Sequence, residues 1–287
     1  MSESLRQIKL RIKSIENTEK VVRAMQMISA AKMKRFDALY NSFHPYYLKL
    51  ESMLKDIFAS DTAIANPFLE TRPGVKRLAL CVIASDTGLC GNYNEVILTR
   101  AREFIDSHGA DKVELIAVGR KAHNYFKRLG IRTLHAYEDM TLRDTNRLSE
   151  DLAAKLTGLF LLKTVDEVYI IYTHPQSLVR RKAIVEKFLN ISREAPVHGS
   201  PTTYICEPDA ERLIGKLIPA YISAKIKFIL IEAFRSEHAA RMVAMQTATD
   251  NAEDLVDTLT LQRNKARQTM ITKEMLEISS AAEALKG

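Results

Sequence analysis

The stretch SEHAARMVAMQTATDNAEDL at residues 236–255, continued by VDTLTLQRNKARQTMITKEMLEISSAAEAL to residue 285, decides the fold. From Phe234 onward neither proline nor glycine interrupts it before Gly287. Met242, Met245, Ala248, Ala252, Leu255, Leu259, Ala266 and Met270 recur mostly at three- and four-residue steps. That rhythm is a helix seam and not strand alternation. Upstream, Glu207-Pro208-Asp209 puts a proline at a first helical position among acids, which predicts the helix start. The predicted helix then runs for about 75 residues, or roughly 110 Å at 1.5 Å per residue. A helix of that length outgrows one globular core and requires a second long helix beside it.

The N-terminus supplies the partner. Ser4-Leu5-Arg6-Gln7 reads as a capping box, in which serine and glutamine side chains satisfy free backbone amides. Leu5, Ile8, Ile12 and Ile15 form a stripe that resumes at Val22, Met25 and Ile28. No proline precedes Pro45 and no glycine precedes Gly74, so the helix reaches at least Tyr40, and Phe43 to Phe58 keeps its period. The expected seam is thin, with Ala24, Ala30, Ala31, Ala248, Thr249 and Ala252 among its members. Small residues allow close approach but bury little area each, which points to a helix pair sheathed by other chains.

Between the helices the pattern changes. Residues 62–76 contain Pro67, Pro73 and Gly74 and read as a linker. Arg77 to Ala84 is a continuous apolar run, as in a buried parallel strand. Strands are further expected at 112–118, 131–137, 167–173 and 179–191, with helices at 94–108, 120–129 and 146–163. Such alternation specifies an open α/β sheet. The predicted fold is therefore α/β: a long antiparallel coiled coil of the N- and C-terminal helices, with an inserted open Rossmann-like domain. Its expected segments are 1–60, 75–206 and 207–287.

Composition narrows the function. No apolar run approaches the ~18 residues of a membrane span, and MSESLRQIKLRIKS lacks the apolar core of a secretory signal. Cys81, Cys90 and Cys206 are odd in number with no CxxC pair, so free thiols are expected, with neither a disulfide framework nor a zinc site. The net charge is +7, and residues 1–36 hold nine Lys or Arg against three Glu. A basic helix suits an acidic partner, an anionic surface or nucleic acid. Without a recognition motif and with a single aromatic there, nucleic acid is disfavoured.

Two local motifs leave alternatives. Ser85-Asp86-Thr87-Gly88-Leu89-Cys90-Gly91-Asn92 follows the first strand, where a phosphate loop would sit. Its GxxG spacing at Gly88 and Gly91 is neither GxGxxG nor a P-loop, and Asp86 would repel a phosphate. It reads as a structural turn or as the loop of a nucleotide-binding enzyme with a coiled-coil arm. Cys90 reads as a structural thiol, and His238 as a surface or interface residue. The polar run Asn264–Thr269 reads as solvated side chains or as donors to a partner's carboxylates.

IKSIENTEKVVRAMQMISAAKM near the start, SDTGLCGNYN in the middle and, toward the end, EPDAERLIGKLIPAYI, SEHAARMVAMQTATDNAEDL and LTLQRNKARQTMITKEMLEI together resemble the gamma subunit of F-type ATP synthases. The matches follow the family's order over nearly the whole chain. Thr87 stands where the family usually has arginine and Asn92 where it usually has glycine, and Asp37 to Lys76 matches poorly. The resemblance implies a non-catalytic, cofactor-free rotor subunit. It would couple rotation of the membrane c-ring to conformational change in catalytic beta subunits, and regulate ATPase activity and proton flow. It implies beta-subunit contacts at Lys20, Met25, Lys32, Arg241, Arg267, Gln268, Thr272 and Glu274, and contacts with the c-ring and epsilon subunit at Tyr204 and Glu207. Alpha subunits complete the ring around one copy of the chain. With no transit peptide in view, a peripheral place on the cytoplasmic side of a bacterial inner membrane is expected.

Overall fold

The computed structural model describes residues 4–59, 66–72, 74–140, 144–175, 177, 181–191 and 210–284. Two compact units emerge. One comprises Met1–Ile28 with Met242–Gly287, and the other comprises Ser29–Arg241. The first long helix is α1 (Leu5–Ala59) and the last is α5 (Ala210–Ala284), and each contributes to both units. The capping box is formed: the Ser4 amide donates to Gln7 Oε1 at 3.0 Å and the Gln7 amide to Ser4 Oγ at 3.3 Å. Pro45 lies inside α1 without ending it.

Among the described residues of the unit Ser29–Arg241, five strands alternate with three helices between α1 and α5. They are β1 (Leu78–Ile83), α2 (Tyr93–His108), β2 (Val113–Val118), α3 (Arg120–Arg128), β3 (Thr133–Tyr137), α4 (Thr145–Leu161), β4 (Glu167–Pro175) and β5 (Arg181–Leu189). The sheet order is β3-β2-β1-β4-β5, parallel except for β5, which runs antiparallel to β4. Only residues 176–180 separate β4 from β5. A link that short permits a hairpin but not a crossover, which fixes the antiparallel edge. The central strand β1 is buried at all six positions, as its unbroken apolar run requires.

Alternate β1 side chains enter different layers. Leu78, Leu80 and Val82 pack against Ile97, Ala101 and Phe104 of α2 and Phe126 of α3. Ala79, Cys81 and Ile83 face Leu152, Leu156 and Phe160 of α4, together with parts of α1 and α5. Each fully buried Leu, Ile or Phe stabilises the unit by roughly 1.5–3 kcal/mol. Here α1 and α5 run antiparallel and are joined by rings. Phe36 meets Phe234 at 5.5 Å between centroids, and Tyr47 stacks on Phe228 at 4.5 Å. The expected thin seam therefore does not extend into this unit.

Part of the expected linker is also docked. Asn66 caps a short turn by accepting from the Phe68 amide at 3.0 Å, and buried Phe68 stacks on Phe160. Arg72 lies over the same Phe160 ring and donates to the carbonyls of Phe160 and Val165. Phe68, which follows Asn66 and Pro67, serves as an anchor rather than a spacer.

In the other unit the seam is narrow. Ile8 and Ile12 are buried against Leu259, with Ile15, Val256 and Ala266 around them. Arg23 pairs with Glu253, and Gln26 with Gln246, so the two segments run antiparallel. The C-terminal seam consists of Met245, Thr249, Ala252, Val256, Leu259 and Ala266. Leu255 and Met270, expected in it, are 41% and 46% exposed, and Ile28 is 56% exposed. The steps 245, 249, 252, 256, 259 alternate four and three, which holds one face. Leu255 sits one residue, about 100°, off that face. From Arg267 to Glu283 every residue is exposed.

Gly119, between β2 and α3, tests how tightly the sheet packs. Its φ is +95°, and a Cβ there would lie 2.2 Å from the Ala84 carbonyl oxygen. Gly119→Ala should lower stability by more than about 2 kcal/mol, through overpacking against backbone and left-handed strain. Urea unfolding of the variant, read by its midpoint at unchanged m-value, measures the loss.

Candidate functional site

In an open α/β sheet, a ligand crevice opens at the carboxyl ends of the strands where the strand order reverses. Here that point lies between β1 and β4. The loop Ser85–Asn92 leaves β1 at the place where a nucleotide phosphate would sit. The chain fills it with its own side chains.

Asp86 is the first of them. One carboxylate oxygen accepts from the Arg120 amide at 2.9 Å and the other from the Met140 amide at 3.0 Å. Asp86 thus occupies the N-terminus of α3, a position at which free N–H groups and the helix dipole would attract an anion. Ser85 is held by Asn94, which accepts from its amide at 3.0 Å and donates to its Oγ at 2.8 Å. The exposed Leu89 at the loop tip has φ +61°.

Arg241 closes the crevice from α5. Its guanidinium donates to Thr87 O at 3.1 Å, Thr87 Oγ1 at 3.0 Å, Gly88 O at 3.3 Å, Glu237 Oε1 at 2.7 Å and His238 Nδ1 at 3.2 Å. Gly88 turns its carbonyl to the crevice, so it is an acceptor for a cation and not a phosphate cradle. The nucleotide reading of Gly88 and Gly91 gives way to the structural-turn reading. Cys90 is buried, within reach of Ser85, Thr87 and Asn94. Burial pushes its thiol up, partly opposed by Arg241. Among the described residues no group of three His, Cys, Asp or Glu could hold a metal ion.

Arg241 and Glu237 are 6% and 7% exposed. Burial pushes the Glu237 carboxyl up, and the Arg241 guanidinium opposes this only in part. Removing either partner would strand a buried charge, at a cost of several kcal/mol. His238 is half-buried and stacked on Phe36 at 5.6 Å. Burial, with the Arg241 and Lys32 charges, lowers its pKa to about 3. It is therefore neutral, accepting from Arg241 at Nδ1 and carrying its proton on Nε2. Lys32, Arg35, Asp139 and Met140 complete the lining of a cleft of about 620 Å³ around these groups.

The residues implied as partner contacts fall into distinct settings. Lys32 is exposed and lines this cleft, whereas Arg241 is buried with its donors engaged inside the chain. In the other unit Lys20 is exposed and Met25 half-buried. Arg267, Gln268, Thr272 and Glu274 are all exposed on successive turns of α5, and Thr272 Oγ1 donates to the Gln268 carbonyl at 2.9 Å. Tyr204 and Glu207 lie outside the described residues. The anchoring role of Asp86 was not visible in the sequence. The Glu237–Arg241 pair had a signal in its four-residue spacing on a helix.

The chain pairs its two ends as long helices around an inserted α/β unit whose crevice holds Asp86 and Arg241 of the chain itself. The comparisons place it more closely. The ATP synthase family pattern matches residues 4–285. The chain is 38% identical over 284 residues to the ATP synthase gamma chain of Protochlamydia amoebophila, covering 99% of each. It is 38% identical over 283 residues to that of Exiguobacterium sibiricum, covering 98% of this chain and 99% of the relative. The chain belongs to the family of ATP synthase gamma chains. In fold it is similar to a chain of the Euglena gracilis mitochondrial ATP synthase rotor, with TM-score 0.65, 16% identity and coverage of 93% and 98%.

The depressed His238 pKa has a stability consequence. A histidine that binds its proton less well when folded makes stability rise with pH. Between about 6.5 and about 3 the unfolded chain takes up the proton first, so stability falls as pH drops through that window. His238→Gln should flatten this dependence, measured as urea midpoint against pH for the two proteins.

Proposed function

We propose that this chain is the central-stalk rotor subunit of an F-type ATP synthase. It carries no catalytic site of its own and couples rotation of the membrane ring to conformational change in catalytic beta subunits. The observation that carries the reading is the end of α5. Met270, Ile271, Met275, Leu276 and Ile278 are 46%, 47%, 67%, 62% and 70% exposed. Contiguous exposed apolar surface marks an interaction site. Exposure on every side of the helix calls for a surrounding sleeve rather than a single partner, and a ring of alpha and beta subunits around one copy supplies it.

In that setting Lys20, Met25 and Lys32 meet an acidic lever segment of beta, with the excess positive charge of residues 1–36 as the attracting field. Arg267 and Gln268 donate to a loop of beta, with Thr272 and Glu274 beside them. Arg241 serves coupling from within, by holding the Thr87–Gly88 loop against α5. Tyr204 and Glu207 meet the c-ring and the epsilon subunit. Rotation thereby links proton flow to ATPase activity and regulates both. Among the described residues no helix is long and apolar enough to cross a membrane, consistent with a peripheral place on the cytoplasmic face of a bacterial inner membrane, reached through the c-ring.

Reconstitution with the alpha and beta subunits of its source tests the proposal. One copy per six-subunit ring by native mass, with MgATP hydrolysis appearing on its addition, is expected. No association with competent alpha and beta overturns it. Arg267→Ala should lower coupling or complex yield by about tenfold, the scale of a lost charge-assisted hydrogen bond, while the α/β unit melts unchanged. Met25→Lys should leave hydrolysis active but reduce protons pumped per ATP, read by quenching of a pH-sensitive dye in vesicles.

A further inference from the structure

We propose that two part-buried polar pairs of opposite sense, Lys225–Glu186 and Glu232–His174, form a key that fixes the rotational register of α5 on the sheet and makes this joint rigid under torque. The proposal rests on the rotor reading above. It concerns how the α/β unit grips the helix it must turn.

The need for a key follows from the helix itself. Residues 229–234 of α5 are all buried, so the apolar pattern presents no single face to the sheet. Apolar contact is non-directional. A helix greasy on all sides can be turned by one residue and still bury comparable area. Shape complementarity alone gives such a joint weak resistance to a turning force.

Lys225 and Glu232 break the degeneracy. They lie seven residues apart, two turns along one face. Lys225 Nζ is 2.7 Å from Glu186 Oε1 on β5, and Glu232 Oε1 is 2.9 Å from His174 Nδ1 on β4. Tyr172 donates to the second Glu186 oxygen at 2.9 Å, which orients that carboxylate. Both pairs thus join α5 to the same β-hairpin, with the acid on the sheet in one and on the helix in the other. A shift of α5 by one residue, or by one pair, sets like against like or leaves a charge without a partner. The helix partners are buried, with the Glu232 side chain 3% and that of Lys225 13% exposed, whereas His174 and Glu186 on the sheet are 51% and 30% exposed. The penalty of a mismatch therefore falls on the helix side, where a polar group would be left buried without its partner. Burial works against the Lys225 ammonium, but Tyr221 and Glu186 more than reverse this and hold it charged. Burial pushes the Glu232 carboxyl up, and His174 opposes it. Fixing register is the best-attested use of buried polar groups in helical interfaces.

The test compares assembled complexes that contain the wild-type chain, a key-less chain and a reversed key. The key-less chain carries Lys225→Met, Glu186→Leu, Glu232→Leu and His174→Leu, which removes both partners of each pair. Apolar replacement of whole buried pairs is often neutral or stabilising, so its melting temperature should hold. ATP hydrolysis should persist, while protons pumped per ATP fall by about twofold or more, a loss of the size expected for a coupled network. Wild-type pumping per ATP in a key-less complex of unchanged melting temperature overturns the proposal. If that chain does not assemble, the reversed pair Lys225→Glu with Glu186→Lys decides. It should pump close to wild type where Lys225→Glu alone does not, and equal loss in both overturns the key. Absence of ATP-driven pumping in the wild-type complex overturns the rotor reading and the key with it.

Discussion

A charge placed inside a protein must be answered where it stands, and α5 carries three of them into the unit Ser29–Arg241. Arg241 is answered by Glu237 and by the carbonyls of Thr87 and Gly88, and Glu232 by His174. Because the pairing energy depends on position and angle, the contacts of Arg241 with the Thr87 and Gly88 carbonyls and of Glu232 with His174 favour one setting of α5 against the sheet. The loop after β1, the turn before α3 and the end of β4 are then fixed in relation to it. Asp86 acts in the same way from the loop, holding the Arg120 and Met140 amides. The crevice that many α/β folds reserve for a ligand is used here to fasten a helix.

The two units divide the physical work. In Ser29–Arg241 the long helices are held by rings and by the sheet, with Phe36 against Phe234 and Tyr47 against Phe228. In the other unit they touch through Ile8, Ile12, Leu259 and their neighbours Ile15, Val256 and Ala266, and from Arg267 to Glu283 every residue of α5 is exposed. A helix surface that is firmly held in one region and bare in another fits a part whose remaining partners belong to an assembly. In the crevice Cys90 is buried beside Ser85, Thr87 and Asn94, His238 accepts from Arg241, and the phosphate position is taken by Asp86.

Much of this was legible in the sequence, because the signals were local. Long runs without proline or glycine predicted α1 and α5, the Ser4–Gln7 box predicted the first cap, and the strand and helix segments lay within a few residues of those observed. The seam was read less well. Thr249 and Ala252 line it as expected, but counting apolar residues included the exposed Leu255, Met270 and Ile28 and passed over Val256. Periodicity in a sequence does not distinguish an apolar residue facing a partner within the chain from one facing a partner outside it. The linker was misread for a related reason, since Phe68 reveals itself as an anchor only once Phe160 is beside it.

The sequence by itself determined the secondary structure, the α/β class, the pairing of the two ends and, through its motifs, the family. These depend on hydrogen bonding and side-chain periods within a few turns of chain. Only the tertiary structure decided that the carbonyls of Thr87 and Gly88 form a seat for Arg241, and that His174 and Glu186 meet Glu232 and Lys225. Those contacts join residues far apart in the chain, where spacing carries no information and the outcome depends on which buried charges come to lie within hydrogen-bond reach.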